Sequence, residues 1–237
     1  MNNLLNIRDV SHQFGDKLVL SNINLDVLEN EIITILGPSG SGKSTLMNIV
    51  GGLLKQTSGK VLIDNVKVEK TGHVSFMPQT SSLMPWRTVE ENIQLSTEIG
   101  RVKAEDQSAT LLKRAGFTDI KNHYPNQLSG GMKQRVSFLR ALNTNHKILL
   151  LDEPFSALDE ITRLDMQVWL RGLIKETGKT VLMITHSIEE AIEMSDRIIV
   201  LNGQPATIVQ IYETSHITDD NQKSELKKML FNQLRKK

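Results

Sequence analysis

The sequence contains no cysteine among its 237 residues. The absence of thiols excludes disulfide bridges, catalysis by a cysteine thiolate and a zinc site built on cysteine. An excess of one charge is also missing, since 28 basic and 27 acidic residues give a formal net charge of +1. This balance gives no reason to expect nucleic acid or an anionic membrane as a partner. The length suits one large globular domain, which we expect to span residues 1–237.

Long apolar runs are missing as well. The longest, such as ILLL at 148–151, fall far short of the roughly 20 residues that a membrane-spanning helix needs. The opening residues, MNNLLNIRDV, lack the basic start and the long apolar stretch of a signal peptide. We therefore expect a chain that does not cross a membrane by itself.

Apolar periodicity predicts an α/β fold. Segments with the apolar character of strands occur at 31–36, 73–77, 147–154 and 179–185. Helical spacing begins at about Lys43 and returns at about 159–177. Strands that alternate with helices indicate a mostly parallel sheet, and the alternating pattern of 22–27 indicates a small antiparallel layer at one edge.

The remaining segments are predicted to be helical or to form a hairpin. Residues 83–142 have mostly helical spacing and would form a helical subdomain, in which Gly116 ends a helix. The dipeptide Asn202-Gly203 predicts the turn of a hairpin. The basic, weakly amphipathic tail at about 214–237 favours a solvated terminal helix, with contact to lipid headgroups as the alternative.

The segment GPSGSGKS, which starts at Gly37, fits the pattern G-x-x-x-x-G-K-[ST]. It lies between a predicted buried strand and a predicted helix, which is the context that this phosphate-binding loop requires. Gly37 and Gly42 allow backbone N–H groups to turn inward around the phosphates. Lys43 would bring a positive charge to the β- and γ-phosphates, and Ser44 would offer its hydroxyl to Mg²⁺.

Two adjacent carboxylates follow the apolar strand ILLL. Alone, Asp152 and Glu153 would be two solvated acids at the end of a strand. In a chain with a phosphate-binding loop, the first acid at this place holds Mg²⁺, usually through water. The second acid can accept a proton from the attacking water.

A second glycine-rich turn, LSGGMKQR, begins at Leu128. Ser129 is a good helix N-cap, and Gly130 and Gly131 make the turn easier to form. A serine hydroxyl, free backbone N–H groups and the positive end of a helix also favour a phosphate. The sequence therefore contains two turns suited to phosphate, although one nucleotide needs only one.

The ordered set of motifs resembles that of the ATP-binding subunits of ABC transporters. These motifs are GPSGSGKST at 37–45, PQ at 78–79, LSGGMKQR at 128–135, ILLLDEP at 148–154, SALD at 156–159 and TH at 185–186. They occur in the family's order, and the resemblance extends to about residue 213. It implies a nucleotide-hydrolysing core with a helical subdomain, and ATP and Mg²⁺ as ligand and cofactor.

The resemblance also assigns roles to individual residues. ATP-binding residues would be Phe14, Gly37, Pro38, Ser39, Gly40, Ser41, Gly42, Lys43, Ser44 and Thr45. The metal would be held by Ser44, Gln79 and Asp152, and the catalytic residues would be Glu153, His186 and Gln79. Two subunits would face each other head to tail, so that Ser129, Gly130 and Gly131 serve the partner's ATP.

Each of the isolated positions also has a simpler interpretation. Phe14 would stack on adenine, or it would be an ordinary apolar residue beside Gly15. Gln79 and His186 would otherwise be a surface residue and a structural histidine. Asp159 of SALD would meet the partner subunit, or it would only cap the helix that follows.

One ATP-binding unit with no membrane span resembles the layout of bacterial importers. That layout implies transmembrane permease subunits, an extracytoplasmic solute-binding protein and a position at the cytoplasmic face of the cell membrane. The stretch LMPWRTVEENI at 83–93 resembles that of nitrate, sulfonate and taurine importers, where it falls at the contact with the membrane partner. Trp86 could equally be a packed aromatic of the subdomain. His146 and Leu139 depart from commoner family residues, but both concern packing.

Two other classes of function stay open. A soluble ABC ATPase would share the fold without transport. Only 91 residues separate Gly37 from Leu128, which is too short for the coiled coil of repair ATPases, and a single ATP unit does not suit translation factors. An ATPase of cofactor assembly is harder to exclude. The third class, a nucleotide-binding regulator without turnover, is disfavoured because binding alone needs no general base such as Glu153.

Overall fold

The structure, a computed structural model, describes residues 3–99, 107–156, 158–217 and 219–235. The strands are β1 (Asn3–Phe14), β2 (Lys17–Leu28), β3 (Ile32–Leu36), β4 (Ser58–Ile63), β5 (Val66–Lys67), β6 (Ser75–Met77), β7 (Ile148–Asp152), β8 (Thr180–Thr185), β9 (Arg197–Gly203) and β10 (Ala206–Glu213). The helices are α1 (Lys43–Val50), α2 (Val89–Ile99), α3 (Ser108–Arg114), α4 (Gly130–Leu142), α5 (Glu160–Thr177), α6 (Ile188–Met194) and α7 (Asp220–Arg235).

Within these ranges the strands form one sheet in the order β5-β4-β1-β2-β10-β9-β3-β8-β7-β6. The part from β9 to β6 is parallel, and the part from β5 to β2 is antiparallel. The α/β fold with an antiparallel β layer is therefore confirmed, and that layer is the edge of the same sheet. Because β3, β7 and β8 end at the same edge, the loops that follow them lie side by side.

Central strands are buried on both faces, as their continuous apolar runs predict. In β7, Leu149 and Leu151 pack in a core cluster with the helical subdomain and α5. Ile148 and Leu150, on the other face, pack with α1 and the antiparallel strands. The alternation of side chains along a strand thus sends neighbouring leucines into different cores.

The middle of the chain contains α2, α3 and α4. Gly116 follows α3 with a φ of 69°, and its N–H donates to the carbonyl of Lys113 at 3.1 Å. The next N–H, from Phe117, donates to the carbonyl of Leu112 at 2.9 Å. This pair of bonds is the Schellman arrangement, so Gly116 ends the helix as its sequence position predicts.

The hairpin and the terminal helix expected at the end of the chain are both present, as β9–β10 and α7, but each differs in one detail. The hairpin does not turn at Asn202-Gly203, because both residues belong to β9 and the turn consists of Gln204 and Pro205. Asn202 is held by α7, since its Nδ2 donates to the carbonyl of Gln233 at 3.1 Å. The tail helix α7 is not simply solvated either, because one face of it is packed against the domain.

Candidate functional site

The phosphate-binding loop joins the buried strand β3 to helix α1. Gly40 and Gly42 have φ values of 78° and 82°, in the region that glycine enters most easily. A Cβ on Gly42 would lie 2.8 Å from the side chain of Leu20, and one on Gly37 would lie 2.3 Å from the carbonyl oxygen of Leu201. The pattern therefore needs glycine at 37 and 42 for close packing as well as for the turn.

Lys43 is buried at the first residue of α1. Its Nζ donates to the carbonyl oxygens of Gly37 at 2.8 Å and Pro38 at 2.9 Å, so the loop curls around its own ammonium group. Burial lowers the pKa of Lys43, and this effect is opposed by the negative charges of Glu153 and Asp152. A phosphate placed in the loop would meet a cation that is already held in position.

The loop has a polar atom that lacks a partner. The hydroxyl of Ser41 is buried and has no hydrogen-bond partner within the described ranges, although its N–H donates to the carbonyl of Pro38 at 3.2 Å. An open depression beside it is lined by Val19 and residues 40–45. An orphaned hydroxyl costs free energy unless a ligand satisfies it. The loop therefore fits a phosphate group, and the exposed Ser44 lies on its rim.

Glu153 lies directly after β7 in an uncommon backbone conformation, with a φ of 45°. Its N–H donates to the carbonyl of Ile184 at 3.0 Å, which ties it to the end of β8. A left-handed conformation costs a non-glycine residue roughly 1–2 kcal/mol, and such strain is concentrated at functional sites.

The carboxylate of Glu153 is contacted from two sides. Nε2 of Gln79, after β6, donates to its Oε2 at 3.0 Å, and Nδ1 of His186, after β8, lies 3.3 Å from its Oε1. Three separate strand ends therefore bring together the three residues that the resemblance names as catalytic. Gln79 also donates to the hydroxyl of Ser156 at 3.4 Å.

Asp152, the other acid, ends β7 and is half-buried. Burial and the charge of the adjacent Glu153 raise its pKa, while Lys43 lowers it. The pKa of Asp152 is raised and the pKa of Lys43 is lowered for the same reason, because both charges are partly withdrawn from water. A cation beside Asp152 and a phosphate beside Lys43 would each compensate for that loss of hydration.

No sequence pattern indicates the framework that holds His186. The N–H of Ser187 donates to the Oγ1 of Thr185 at 3.0 Å, and the hydroxyl of Thr185 donates to the carboxylate of Glu190. The Oγ of Ser187 caps α6 by accepting from the N–H of Glu190 at 3.2 Å. Both neighbours of His186 are thus held to α6. Glu190 of this helix is buried, and its Oε1 lies 3.8 Å from the Nε of Arg163.

The second glycine-rich turn opens α4. Ser129 is exposed and is the N-cap, since its Oγ accepts from the N–H of Met132 at 3.2 Å. No hydrogen bond within the described ranges joins this turn to the phosphate-binding loop of the same chain. The sequence-predicted residues therefore form two groups, one around Lys43 and Glu153 and the other around Ser129.

Gly131 lies against the start of α5. A Cβ on Gly131 would lie 2.8 Å from the Cγ2 of Thr162, whereas a Cβ on Gly130 would meet nothing within 4 Å. The N–H of Thr162 donates to the Oδ1 of Asp159 at 3.0 Å, so Asp159 caps α5. The capping role of Asp159 is thus observed, and its contact with a partner stays a prediction.

Two of the aromatic residues singled out in the sequence are strongly exposed. Phe14, at the end of β1, is 53% exposed and packs edge-on against buried His12, with 4.6 Å between the ring centroids. Trp86 is 71% exposed, so it is not a packed aromatic of the subdomain. Beside it, Asn92 holds the loop by accepting from the N–H of Met84 at 2.8 Å.

The family model of the ABC transporter matches residues 20–156. The chain therefore belongs to the ABC transporter family. The matched part contains the phosphate-binding loop, Gln79, the two acids and the second glycine-rich turn at 128–131, which we call the signature turn. It is the ATP-binding subunit of such a transporter, and its reaction is the hydrolysis of ATP. None of the helices in the described ranges is long and apolar enough to cross a membrane.

Named relatives extend over most of the chain. The taurine import ATP-binding protein TauB of Yersinia pestis is 36% identical, over 87% of this chain and 83% of its own length. The aliphatic sulfonates import ATP-binding protein SsuB 1 of Pseudomonas savastanoi is 42% identical, over 87% and 84% respectively. An uncharacterized ABC transporter ATP-binding protein of Bacillus subtilis, YtlC, is also 42% identical, over 80% and 75%.

Solved structures share the fold. A dimeric ATP-binding cassette, MJ0796, in a post-hydrolysis state with ADP and Pi, superposes with a TM-score of 0.74. It is 35% identical, over 89% of this chain and 98% of that one. The cbiO1 protein of Clostridium perfringens has a TM-score of 0.82 over 99% of this chain and 98% of its own, at 23% identity.

Proposed function

We propose that two copies of this chain hydrolyse ATP at shared sites, as the motor of an importer for small sulfonates. The observation that carries the shared site is that no hydrogen bond within the described ranges joins the two glycine-rich turns of one chain. Ser129 is exposed and aims no hydrogen bond at its own loop, within the described ranges. A head-to-tail partner would bring the two turns together, and the dimeric cassette with ADP and Pi supports this arrangement.

In this proposal each ATP lies between the loop at 37–45 of one chain and the signature turn of the other. Phe14 stacks on adenine, Lys43 and the backbone N–H groups of the loop hold the β- and γ-phosphates, and Ser129 and Gly131 approach the γ-phosphate from the partner. Loss of that phosphate removes the main attraction between the two surfaces. Hydrolysis thereby separates the subunits.

Mg²⁺ is the proposed cofactor. No cluster of three or more His, Asp or Glu side chains suited to a metal occurs in the described part of the chain. A magnesium ion that is shared with phosphates needs fewer protein ligands, and it prefers hydroxyl, amide and carboxylate oxygens. Ser44, Gln79 and Asp152 provide those donors, and the bound ion would neutralise charge on the phosphates.

The chain's own residues supply the proton transfer. Glu153 accepts a proton from the attacking water, since its carboxylate is fixed between Gln79 and His186. His186 orients the water and contacts the γ-phosphate. Gln79 connects this centre to the helical subdomain through the loop that follows it, whose carbonyls at Ser81 and Ser82 accept from Arg140 of α4.

Import of taurine or aliphatic sulfonates is the activity for which two of the relatives are named. Exposed Trp86, in the loop after Gln79, gives a permease subunit a large apolar contact. We propose two permease subunits, a solute-binding protein outside the membrane and a position at the cytoplasmic face. The import relatives favour this function over a soluble ATPase of cofactor assembly.

Uptake by cells that lack the chain tests the proposal. Such cells should fail to take up taurine or an alkyl sulfonate, and wild-type protein should restore uptake whereas Glu153→Gln should not. Sulfate and nitrate uptake serve as controls for the sulfonate class. Normal sulfonate uptake without the chain, together with loss of nitrate uptake, would assign it to another cargo.

A further inference from the structure

The C-terminal helix α7 packs directly behind the residues that carry the ATP site. Leu226 and Leu230 are buried against Ala191 of α6 and Leu36 of β3. Leu36 is the residue before Gly37, the first residue of the phosphate-binding loop. Helix α6 starts two residues after His186. One apolar cluster therefore supports both the base of the loop and the helix that follows His186.

Two ion pairs flank this apolar contact. Lys227 of α7 pairs with Glu189 at the start of α6, and Lys223 pairs with Glu193 near its end, with 2.7 Å between Nζ and Oε1. The Lys227 pair lowers the pKa of Glu189, which is ionised at neutral pH and also lies favourably in the first turn of α6. The two pairs hold the two ends of α6.

Glu189 also reaches the residue next to His186. The hydroxyl of Ser187 donates to its Oε2 at 3.3 Å, and its other oxygen, Oε1, faces Lys227. Ser187 in turn holds its backbone N–H to Thr185. A continuous set of contacts thus runs from Lys227 through Glu189 and Ser187 to His186, whose Nδ1 lies 3.3 Å from Glu153.

We propose that Lys227 and Glu189 are positioning residues for His186, so that the docking of α7 raises the rate of ATP hydrolysis. The inference rests on the proposed role of His186. Neither residue touches the proposed nucleotide site, and their effect passes through the orientation of α6 and Ser187. Helix α7 begins 34 residues after His186 in sequence, so only the fold brings it to this place.

The expected effect is on the chemical step and not on ATP binding. In the proposed site, Lys43 and the loop bind the phosphates. No ion pair or hydrogen bond within the described ranges joins them to Glu189. A displaced His186 would weaken an interaction needed in the transition state, which lowers kcat and kcat/KM together. Because an exposed ion pair couples its partners weakly, the loss should be about three- to fivefold.

The test compares charge variants at the two faces of α7 in the full chain. Lys227→Glu should lower kcat by about three- to fivefold, with KM for ATP within about twofold of wild type. Lys227→Arg should hydrolyse ATP at the wild-type rate, because arginine keeps the positive charge. Lys228→Glu is the matched control, since Lys228 is exposed and forms no ion pair within the described ranges. Its kcat should not change.

A second control separates positioning from general docking of α7. Lys223→Glu breaks the pair with Glu193 at the far end of α6, so it should lower the melting temperature as much as Lys227→Glu but change kcat less. Equal kcat loss in both variants, or wild-type kcat in Lys227→Glu, would overturn the proposal. His186→Ala is measured in parallel, because normal hydrolysis by that variant refutes the role of His186 independently of the result at Lys227.

Discussion

The Nδ1 of His186 lies 3.3 Å from the Oε1 of Glu153, although the two residues follow different strands. Adjacent β7 and β8 are in parallel register, with Asp152 beside Ile184, so their ends present both side chains at one edge of the sheet. An imidazole and a carboxylate at this distance keep each other in position and leave the second carboxylate oxygen for Gln79. Glu153 is thus fixed before any ligand binds.

Glu153→Gln should keep ATP binding but hydrolyse ATP very slowly. The amide is nearly isosteric with the carboxylate, but it cannot accept the proton of the attacking water, so turnover should fall by about a hundredfold or more. With ATP and Mg²⁺, the variant should elute as a dimer in size-exclusion chromatography. Glu160→Gln, an exposed change in the first turn of α5, is the control. A monomeric Glu153→Gln chain with bound ATP would contradict the shared site.

Lys43→Ala should abolish ATP turnover and weaken nucleotide binding. The change removes a cation that is already oriented by the carbonyls of Gly37 and Pro38, and a charged donor of this kind contributes about a hundredfold or more to the rate. Steady-state hydrolysis and calorimetric titration with ATP measure the two effects. Lys55→Ala, at an exposed position outside the loop, should behave as wild type. Normal turnover by Lys43→Ala would refute the assignment of the loop.

Ser129→Asp separates helix capping from nucleotide binding in trans. Aspartate caps a helix as well as serine does, so the melting temperature should not change. A carboxylate that faces the partner's γ-phosphate would repel it strongly in a dry interface. The variant should bind one ATP per chain through its own loop and fail to dimerise or hydrolyse. Full activity would reduce Ser129 to the N-cap that the structure shows.

Mixing two inactive variants sharpens that test. Ser129→Asp supplies an intact phosphate-binding loop, and Lys43→Ala supplies an intact signature turn. A heterodimer therefore contains one working site, and partial recovery of hydrolysis on mixing is expected if one site suffices for turnover. Each variant measured alone, at the same total protein concentration, is the control.

Gly131→Ala should destabilise the protein, whereas Gly130→Ala should not. Alanine in a helix is favoured over glycine by up to about 1 kcal/mol, and a Cβ on Gly130 has free space. A Cβ on Gly131 would lie 2.8 Å from the Cγ2 of Thr162, and such overpacking typically costs about 1–3 kcal/mol. Thermal unfolding measures both changes. Thr162→Ser removes the methyl group, so it should recover part of the stability lost in Gly131→Ala. If it recovers none, the loss does not come from this contact.

Glu190→Gln should change stability in a pH-dependent manner. Burial raises the pKa of Glu190, opposed by the hydroxyl of Thr185 and the charge of Arg163. A raised pKa in the folded state contributes stability that is complete at acidic pH and is lost as pH rises through the folded pKa. Glutamine does not titrate, so its melting temperature relative to wild type should increase from about pH 4 to about pH 8. A difference that does not vary with pH would contradict the assigned burial effect.

Local patterns predicted the parts of the site that short segments determine. The glycine pattern and the two flanking elements predicted the loop at 37–45, whereas its close packing against Leu20 and Leu201 comes from distant strands and was not predicted. The hairpin of β9 and β10 was predicted, but its turn lies at Gln204 and Pro205, two residues beyond Asn202-Gly203, and Asn202 has a partner distant in sequence that the local pattern did not indicate. The side-chain oxygen of Asn202 accepts from the N–H of Gly203 at 2.8 Å, while its amide group binds α7.

The support of His186 could not be found from the sequence. Glu189 and Glu190 look like two exposed acids in the first turn of a helix, but one of them is buried and the other reaches α7. Their partners, Thr185 and Lys227, follow from how β8, α6 and α7 pack. Periodicity indicates which face of a helix is apolar, but it does not indicate which polar groups will face each other across two elements.

Strand β7 has a further consequence for how the chain finds its alignment during folding. A slip of one residue against β8 would exchange Leu149 with Leu150, and both faces of the strand would remain apolar. The same slip would move Asp152 into the place of Leu151, which is completely buried. An unpaired carboxylate in that place costs several kcal/mol. The acid proposed to hold magnesium therefore also disfavours misalignment of the central strand.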